Sequence, residues 1–248
     1  MEIVEAATFL EDLNDDDIKA WAESINYSDN VSYFITNGKP AFKISNVQIN
    51  SCRKANTEYY FVLNYEERSN YDILFFAQIE KSTSRNGLFK RGMHQSLIWK
   101  APGYLYGSNF SVRFLAKLID IKNELLMTDM KQTVYGRNMW IGMLRALYKN
   151  YDCYYALSAP SDAKCIIKIE DVGDITHYEK DIVKKGYPYA FTSAFILKKG
   201  LDPKNYLLDP DKTLILTCKE AEELDAFTTP KNLSSEQENQ MWKEYERR

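Results

Sequence analysis

The sequence predicts a mixed α/β (α+β) protein: a central mixed, mostly antiparallel sheet flanked by helices, with a C-terminal extension. Residues 58–67 and 71–80 are apolar, alternating segments joined by a three-residue connection, which is typical of two antiparallel strands. Residues 125–157 contain a short apolar run, a polar turn, a helical stripe and a second alternating run. A strand, a helix and a strand in that order indicate a mixed architecture.

The N-terminal part is predicted to begin with helices and to continue with strands. Apolar residues in the first thirty positions have helical spacing, and the acidic run of residues 14–17 lies at a predicted helix start, where the helix dipole favours negative charge. We interpret the run in this way rather than as a metal site, because adjacent aspartates on a helix point apart. Asn37 and Gly38 lie between two alternating runs and predict a type I′ hairpin turn.

The middle of the chain is predicted to alternate between strands and helices. Residues 94–101 form a predicted strand with Leu97 and Trp99 on one face. After a loop, helical spacing predicts a helix that ends near Asn123, with apolar residues at Phe114, Leu115, Leu118, Ile119 and Ile121. A second helix is predicted from Tyr135, and a strand follows it over residues 151–157. The apolar stripe of this helix comprises Trp140, Met143, Leu144, Leu147 and Tyr148.

The last third contains three predicted strands and a closing helix. The strands cover residues 165–172, 187–200 and 213–218, and a capping-box pattern at Ser235 predicts the final helix. We expect a core over residues 1–160. The C-terminal strands and the closing helix, residues 161–248, are expected to pack on the same domain.

Composition limits the classes of function. The 248-residue chain is 45% hydrophobic and has a net charge of −3, which disfavours a generally basic nucleic-acid binder. The four cysteines form no C-x-x-C pair, and neither a signal peptide nor a membrane-spanning apolar run is visible. We therefore expect a reduced, soluble, cytoplasmic protein that does not enter a membrane. No H-E-x-x-H, Walker A or EF-hand pattern occurs, so the sequence predicts no metal site.

A family resemblance is carried by residues 128–140, TDMKQTVYGRNMW, and by the RALYKNYDCYY that follows shortly after. The first stretch resembles a motif of phage-encoded members of the GNAT superfamily of N-acetyltransferases. The second is similar to the helix-to-strand passage near the end of the acetyltransferase core. The resemblance, which covers about residues 32–157, implies a GNAT-like order: three or four antiparallel strands, then strand, loop, helix, strand, helix and strand. For a phage-encoded chain, it also implies the host cytoplasm as the location.

Acetyl-coenzyme A (acetyl-CoA) is the cofactor that the resemblance implies. In the superfamily a strand that carries a splay precedes a glycine-containing pyrophosphate loop and a helix, and the pantetheine arm binds along the splayed strand edge. The matching cofactor-binding residues are Trp99 on the strand and Gly107, Ser108, Asn109 and Ser111 at the loop and helix start. Small residues there let backbone N–H groups approach phosphate oxygens. Asn109 stands where the pattern has a second glycine, and Tyr106 stands where it has a basic residue.

Site residues for acyl transfer to an amine acceptor are implied as well. Tyr148 matches the general acid that gives a proton to the departing thiolate; alternatively it belongs to the apolar stripe of its helix. Asp129 orients the amine or acts as a base in one interpretation, and caps the next helix in the other. Thr133 and Tyr135 lie in the same turn and are candidates to line the acceptor pocket.

Two other classes of function stay open. The first is a catalytically inactive descendant of the GNAT fold that has lost coenzyme A binding and binds a host or phage protein partner. The missing second glycine favours this alternative. The second is nucleic-acid binding through the basic segment of residues 81–91, which is otherwise interpreted as a solvated loop. His94 is interpreted as an ordinary surface or core histidine, with a position near the acceptor site as the alternative. His177 is interpreted as a solvated residue. Neither has a cysteine beside it in sequence, so nothing favours a Cys–His hydrolase.

Overall fold

Ten strands of the described residues form one sheet. The structure is a computed structural model that describes residues 36–66, 70–82, 88–101, 109–128, 134–158, 164–179 and 192–224. The predicted N-terminal helices, the acidic run and the closing helix lie outside these residues. The strands are β1 (Lys39–Ile44), β2 (Val47–Lys54), β3 (Thr57–Glu66), β4 (Asn70–Ser82), β5 (Gly92–Lys100), β6 (Leu126–Met127), β7 (Tyr151–Ser158), β8 (Lys164–Ile169), β9 (Thr192–Lys198) and β10 (Thr213–Thr217). The α-helices are α1 (Phe110–Lys122), α2 (Val134–Leu147), α3 (Val172–His177) and α4 (Cys218–Glu223), and a short 3-10 helix covers Pro203–Tyr206.

The first five strands are antiparallel and neighbour one another in chain order. β3 and β4 confirm the antiparallel pair that the alternating segments predict. The hairpin predicted at Asn37 and Gly38 is wrong. Asn37 is helical, and the chain turns between β1 and β2 at Ser45, which has a φ of 57°. An Asn-Gly pair permits a tight turn but does not require one; here the pairing of β1 with β2 fixes the position of the turn.

The second half of the sheet departs from chain order and runs β5-β6-β9-β7-β8-β10. β6 is parallel to β5, and the connection between them contains α1. β9 lies between β6 and β7 and is antiparallel to both. β8 is antiparallel to β7 and parallel to β10. Strands from residues 1–160 and from residues 161–248 therefore belong to the same sheet.

One large core gathers apolar residues of all four helices and of the strands beneath them. α1 buries the apolar residues predicted for it except Ile121, which is 46% exposed. Ile121 lies two residues after Ile119, and residues at that spacing do not share a helix face. α2 buries its predicted stripe from Trp140 to Leu147. A second core, which includes Phe89 and Phe195, forms from other residues of the sheet and its connections.

The coarse fold prediction is confirmed. The protein is mixed α/β, with a large, mostly antiparallel open sheet and four α-helices among the described residues. Within that part of the chain, no helix combines the length and the apolar character needed to span a membrane.

Candidate functional site

The candidate site is a gap between two parallel strands. Within the part of the chain that the structure describes, β5 and β6 pair at two positions, Met93 with Leu126 and His94 with Met127. β5 nevertheless continues to pair with β4 as far as Lys100. We call the space beside residues 95–100 of β5, where the described part of β6 no longer pairs, the β5/β6 gap.

A bulge in β5 coincides with the point where the two strands part. Gln95 pairs with Ile79 and Leu97 pairs with Gln78, so Ser96 is an extra residue on the β5 side of the ladder. An extra residue bends its strand and increases its local twist. The bend therefore provides a physical reason for β5 and β6 to separate directly after His94 and Met127.

The edge of β5 that faces the β5/β6 gap carries the backbone groups of Ile98 and Lys100. The Ala101 N–H donates to the Leu74 carbonyl oxygen on the β4 side, at 3.0 Å. Backbone groups of successive residues point to opposite sides of a strand, so those of Ile98 and Lys100 point away from β4. Among the described residues, no strand pairs with β5 along this edge.

Buried polar side chains surround the end of the gap at which β5 and β6 still pair, which we call the closed end. The Trp140 indole N–H of α2 donates to the Gln95 side-chain oxygen at 2.9 Å, and both residues are buried. Thr128, directly after β6, is 0% exposed, and its hydroxyl has no hydrogen-bond partner within the described residues. His94 is also buried, and its Nδ1 lies 3.4 Å from the Thr128 carbonyl oxygen. A buried hydroxyl without a partner is costly, and it marks a position where a ligand atom gains a hydrogen bond.

The open end of the gap leads toward the start of α1. Asn109 is the residue before the helix; its φ is −111°, and its side chain makes no capping hydrogen bond. The first turn of α1 has no acidic residue, so the helix dipole favours an anion there. Ser111 lies in this turn and is half-buried. Gly107 and Ser108 lie outside the described residues.

Of the other predicted site residues, some lie on β5 and α2, and some lie outside the described residues. Trp99 is buried and pairs with Phe76 on β4. Phe75 belongs to the core that contains the helices, so the Phe76 and Trp99 side chains point to the opposite face of the sheet. Asp129 and Thr133 lie outside the described residues. The Tyr135 backbone belongs to the first turn of α2.

Tyr148 directly follows α2 and packs, half-buried, against the core that contains the helices. Its backbone N–H donates to the Leu144 carbonyl oxygen at 3.0 Å, and the Lys149 ammonium nitrogen lies 5.8 Å from the centroid of its ring. Eight residues separate Tyr148 from Trp140, which corresponds to about 12 Å along a helix axis. The Tyr148 backbone is therefore displaced along the helix axis from Trp140, whose indole contacts Gln95.

Sequence reasoning did not assign a role to Gln95 or Thr128. Thr128 is the first residue of the stretch that carries the family resemblance. This position is the sequence feature that could have identified Thr128 as a candidate site residue. Sequence reasoning also treated His177 as solvated, whereas the structure places it half-buried, with its Nδ1 3.8 Å from the Cys218 sulfur. These two residues are 41 positions apart, so no local pattern predicts their contact.

No protein-family model, curated protein or solved structure matches the chain. The functional interpretation therefore depends on the geometry of the described residues and on the sequence motif.

Proposed function

We propose that this chain is a GNAT-like N-acetyltransferase that transfers an acetyl group from acetyl-CoA to an amine acceptor. The observation that supports this most directly is the β5/β6 gap, in which one backbone edge of a strand inside the sheet has no strand partner among the described residues. A strand edge offers alternating donors and acceptors, and an extended chain with amide groups pairs with such an edge. The pantetheine arm is a chain of this kind, because it contains two amides.

The order of the elements also supports the proposal. Antiparallel strands β1 to β4 precede β5, and α1, β6, α2 and β7 follow it. The sequence resemblance implies this order, and it implies that the strand before the pyrophosphate loop is the splayed one. β5 has a bulge at the point where its pairing with the described part of β6 ends.

Residues along the β5/β6 gap would hold the cofactor. The first turn of α1, where the helix dipole favours an anion, would hold the pyrophosphate. The backbone of Ile98 and Lys100 would pair with the pantetheine amides. Gln95 and Thr128, where β5 and β6 still pair, would lie beside the thioester, which supplies the acetyl group.

Acyl transfer at the closed end is a direct attack by the amine on the thioester carbonyl carbon. A C–N bond forms, the C–S bond breaks, the amine loses a proton and the thiolate gains one. The Thr128 hydroxyl donates a hydrogen bond to the carbonyl oxygen as negative charge develops on it. Tyr148 is the candidate donor of the proton to the thiolate, the role that the sequence resemblance implies for it. Asp129 is the candidate base.

Calorimetric titration with three ligands tests the proposal. The ligands are acetyl-CoA, coenzyme A and 3′-phospho-ADP, which has the nucleotide part without the pantetheine arm. We expect micromolar binding of the first two, and binding of the third that is weaker by at least about tenfold, or 1.4 kcal/mol, because the arm contributes the contacts with β5. Equal affinity for all three would contradict the role of the strand edge.

An absence of binding at millimolar acetyl-CoA would overturn the enzyme proposal. The chain would then be the catalytically inactive alternative, a GNAT-fold protein that binds a protein partner.

A further inference from the structure

A second cluster of chemically active side chains lies away from the β5/β6 gap, at the β10 end of the sheet order. It contains Tyr155 on β7, His177 at the end of α3, and Cys218 and Glu222 on α4. The chemistry of this cluster is independent of acyl transfer.

Two parallel strands bring the two helices of the cluster together. β8 and β10 are adjacent and parallel, so both chains leave the sheet at the same end. Asp171 caps α3 after β8, and Thr217 caps α4 after β10, each through a complete capping box. The strand predicted to extend through Cys218 ends one residue earlier for this reason. The ends of parallel strands are positions where α/β proteins commonly bind ligands.

Three different ligand types converge at this position. The His177 Nδ1, the Cys218 sulfur and a Glu222 carboxylate oxygen all lie within 4.8 Å of one another. Cys218 and Glu222 are four positions apart, so they share one face of α4. The Tyr155 hydroxyl lies 3.4 Å from His177 Nδ1 and 3.8 Å from the Cys218 sulfur.

The spacing of the ligand atoms suits a tetrahedral metal ion. With zinc–sulfur and zinc–nitrogen bonds of about 2.3 and 2.0–2.1 Å, tetrahedral angles separate the two ligand atoms by roughly 3.6 Å. The observed separation of the Cys218 sulfur and His177 Nδ1 is 3.8 Å. Three protein ligands and one further position are an arrangement that zinc adopts in proteins. Small side-chain movements therefore suffice to close the site around a cation.

The charges around the cluster favour a cation. The Glu222 carboxylate is one of the three converging ligand groups, and Asp174 lies three positions before His177 on α3. A divalent cation displaces the thiol proton on binding and compensates the negative charge.

We infer that His177, Cys218 and Glu222 bind one zinc-class divalent cation, with the Tyr155 hydroxyl beside the fourth coordination position. The cation joins α3 to α4 and so holds together the end of the sheet formed by β8 and β10. The ligands are one nitrogen, one thiolate sulfur and one carboxylate oxygen, a set that suits Zn²⁺ better than Mg²⁺ or Ca²⁺.

Titration of the full-length, chelator-treated and reduced chain with Co²⁺ tests the inference, because cobalt substitutes for zinc and a bound thiolate produces a charge-transfer band. We expect this band with one equivalent of Co²⁺, its loss in Cys218→Ala, and its retention in Cys52→Ala, which removes a buried thiol on β2. Zn²⁺ should abolish the band by competition. Absence of the band in the native chain, or its persistence in Cys218→Ala, would overturn the inference.

A second pair of variants keeps the test decisive if Cys218→Ala fails to fold. Glu222 and Glu223 are both exposed on α4, so replacing either carboxylate by an amide leaves the fold intact. Glu222→Gln should weaken Co²⁺ binding by at least about tenfold, since loss of even an outer-shell partner has that effect. Glu223→Gln should leave binding unchanged. Equal affinities of the two variants would contradict the assignment of Glu222 as a ligand.

Discussion

At the scale of the residue, Thr128 is the side chain that most strongly supports the proposal that the β5/β6 gap binds a ligand. A buried hydroxyl without a partner costs about 1–3 kcal/mol, and a packed core would normally have valine at such a position. Thr128 is fully buried at the place where β5 and β6 part, and it has no hydrogen-bond partner within the described residues. A ligand atom that pairs with the Thr128 hydroxyl would remove this cost, which supports the proposed binding site.

Thr128→Val should affect stability and binding in opposite directions. The substitution removes an unpaired hydroxyl at nearly constant volume. We therefore expect the free energy of unfolding of the ligand-free chain, measured by urea denaturation, to stay the same or to rise by up to about 1 kcal/mol. Acetyl-CoA turnover should fall, because the hydroxyl no longer donates to the carbonyl oxygen. Thr213→Val is the matched control: the Thr213 hydroxyl donates to the Asp209 carbonyl oxygen at 2.9 Å, so this variant should lose stability. A Thr128→Val variant with native turnover would remove Thr128 from the site.

Tyr148→Phe tests the general acid. Loss of a positioned proton donor should lower turnover by roughly 10²–10⁴-fold with little change in acetyl-CoA affinity. The rate of coenzyme A release, measured with a thiol reagent over a panel of amines, provides the readout. Tyr151→Phe is the control, because the Tyr151 hydroxyl donates to the Asp120 carboxylate at 3.0 Å and serves stability alone. If both variants retain native turnover, Tyr148 belongs to the apolar stripe of its helix.

At the scale of the element, helices were predictable and strand irregularities were not. The apolar stripes of α1 and α2 follow from side-chain spacing within one element. The predicted end of α1 near Asn123 and the predicted start of α2 at Tyr135 each lie one residue from the observed bound. The bulge at Ser96 depends on how β5 pairs with β4, and this pairing leaves no mark in the sequence of β5 alone. The Asn-Gly pair misled the hairpin prediction for the same reason: register, not local preference, determined the turn.

Glu58 connects β3 with the last turn of α1, and this contact predicts a dependence of stability on pH. Burial raises its carboxyl pKa, but hydrogen bonds from Lys122 and Tyr60 and the charges of Lys122 and Lys81 outweigh burial, so the pKa is lowered overall. The Lys122 nitrogen lies 2.9 Å from the Glu58 carboxylate. Because the folded-state pKa is lowered, the Glu58 carboxylate stabilises the folded chain fully above the unfolded-state pKa of about 4.3. This stabilisation is lost as pH falls through the folded-state pKa.

Glu58→Gln should therefore lower the free energy of unfolding at pH 7 by roughly 1–3 kcal/mol, the range for hydrogen bonds to charged groups. The difference from the native chain should shrink when urea denaturation is repeated near pH 3, because the native carboxylate is then becoming protonated. Glu223→Gln, whose pairing with Lys219 is exposed and 3.9 Å long, should differ from native by less than about 1 kcal/mol at both pH values. A Glu58→Gln deficit that is the same at both pH values would contradict the role of the charge.

At the scale of the whole molecule, the sequence predicted the order of the elements along the chain but not the order of the strands in the sheet. The order of elements along the chain was predictable, since each strand and helix has its own local pattern. The position of β9 between β6 and β7 was not, because it depends on contacts between distant segments. Residues 194–197 of β9 are buried on both faces, so no alternation indicates which neighbours they have. The cluster of His177 with Cys218 was hidden by the same long-range pairing.

Amide hydrogen exchange along β5 tests the proposal that the pantetheine arm of acetyl-CoA binds to the strand edge facing the β5/β6 gap. Without ligand, the Trp99 amide, which points to β4, should exchange slowly, and the Ile98 and Lys100 amides should exchange faster. Acetyl-CoA should slow the Ile98 and Lys100 amides and leave Trp99 unchanged, while 3′-phospho-ADP should slow neither. Unchanged exchange at Ile98 and Lys100 under saturating acetyl-CoA would contradict the account.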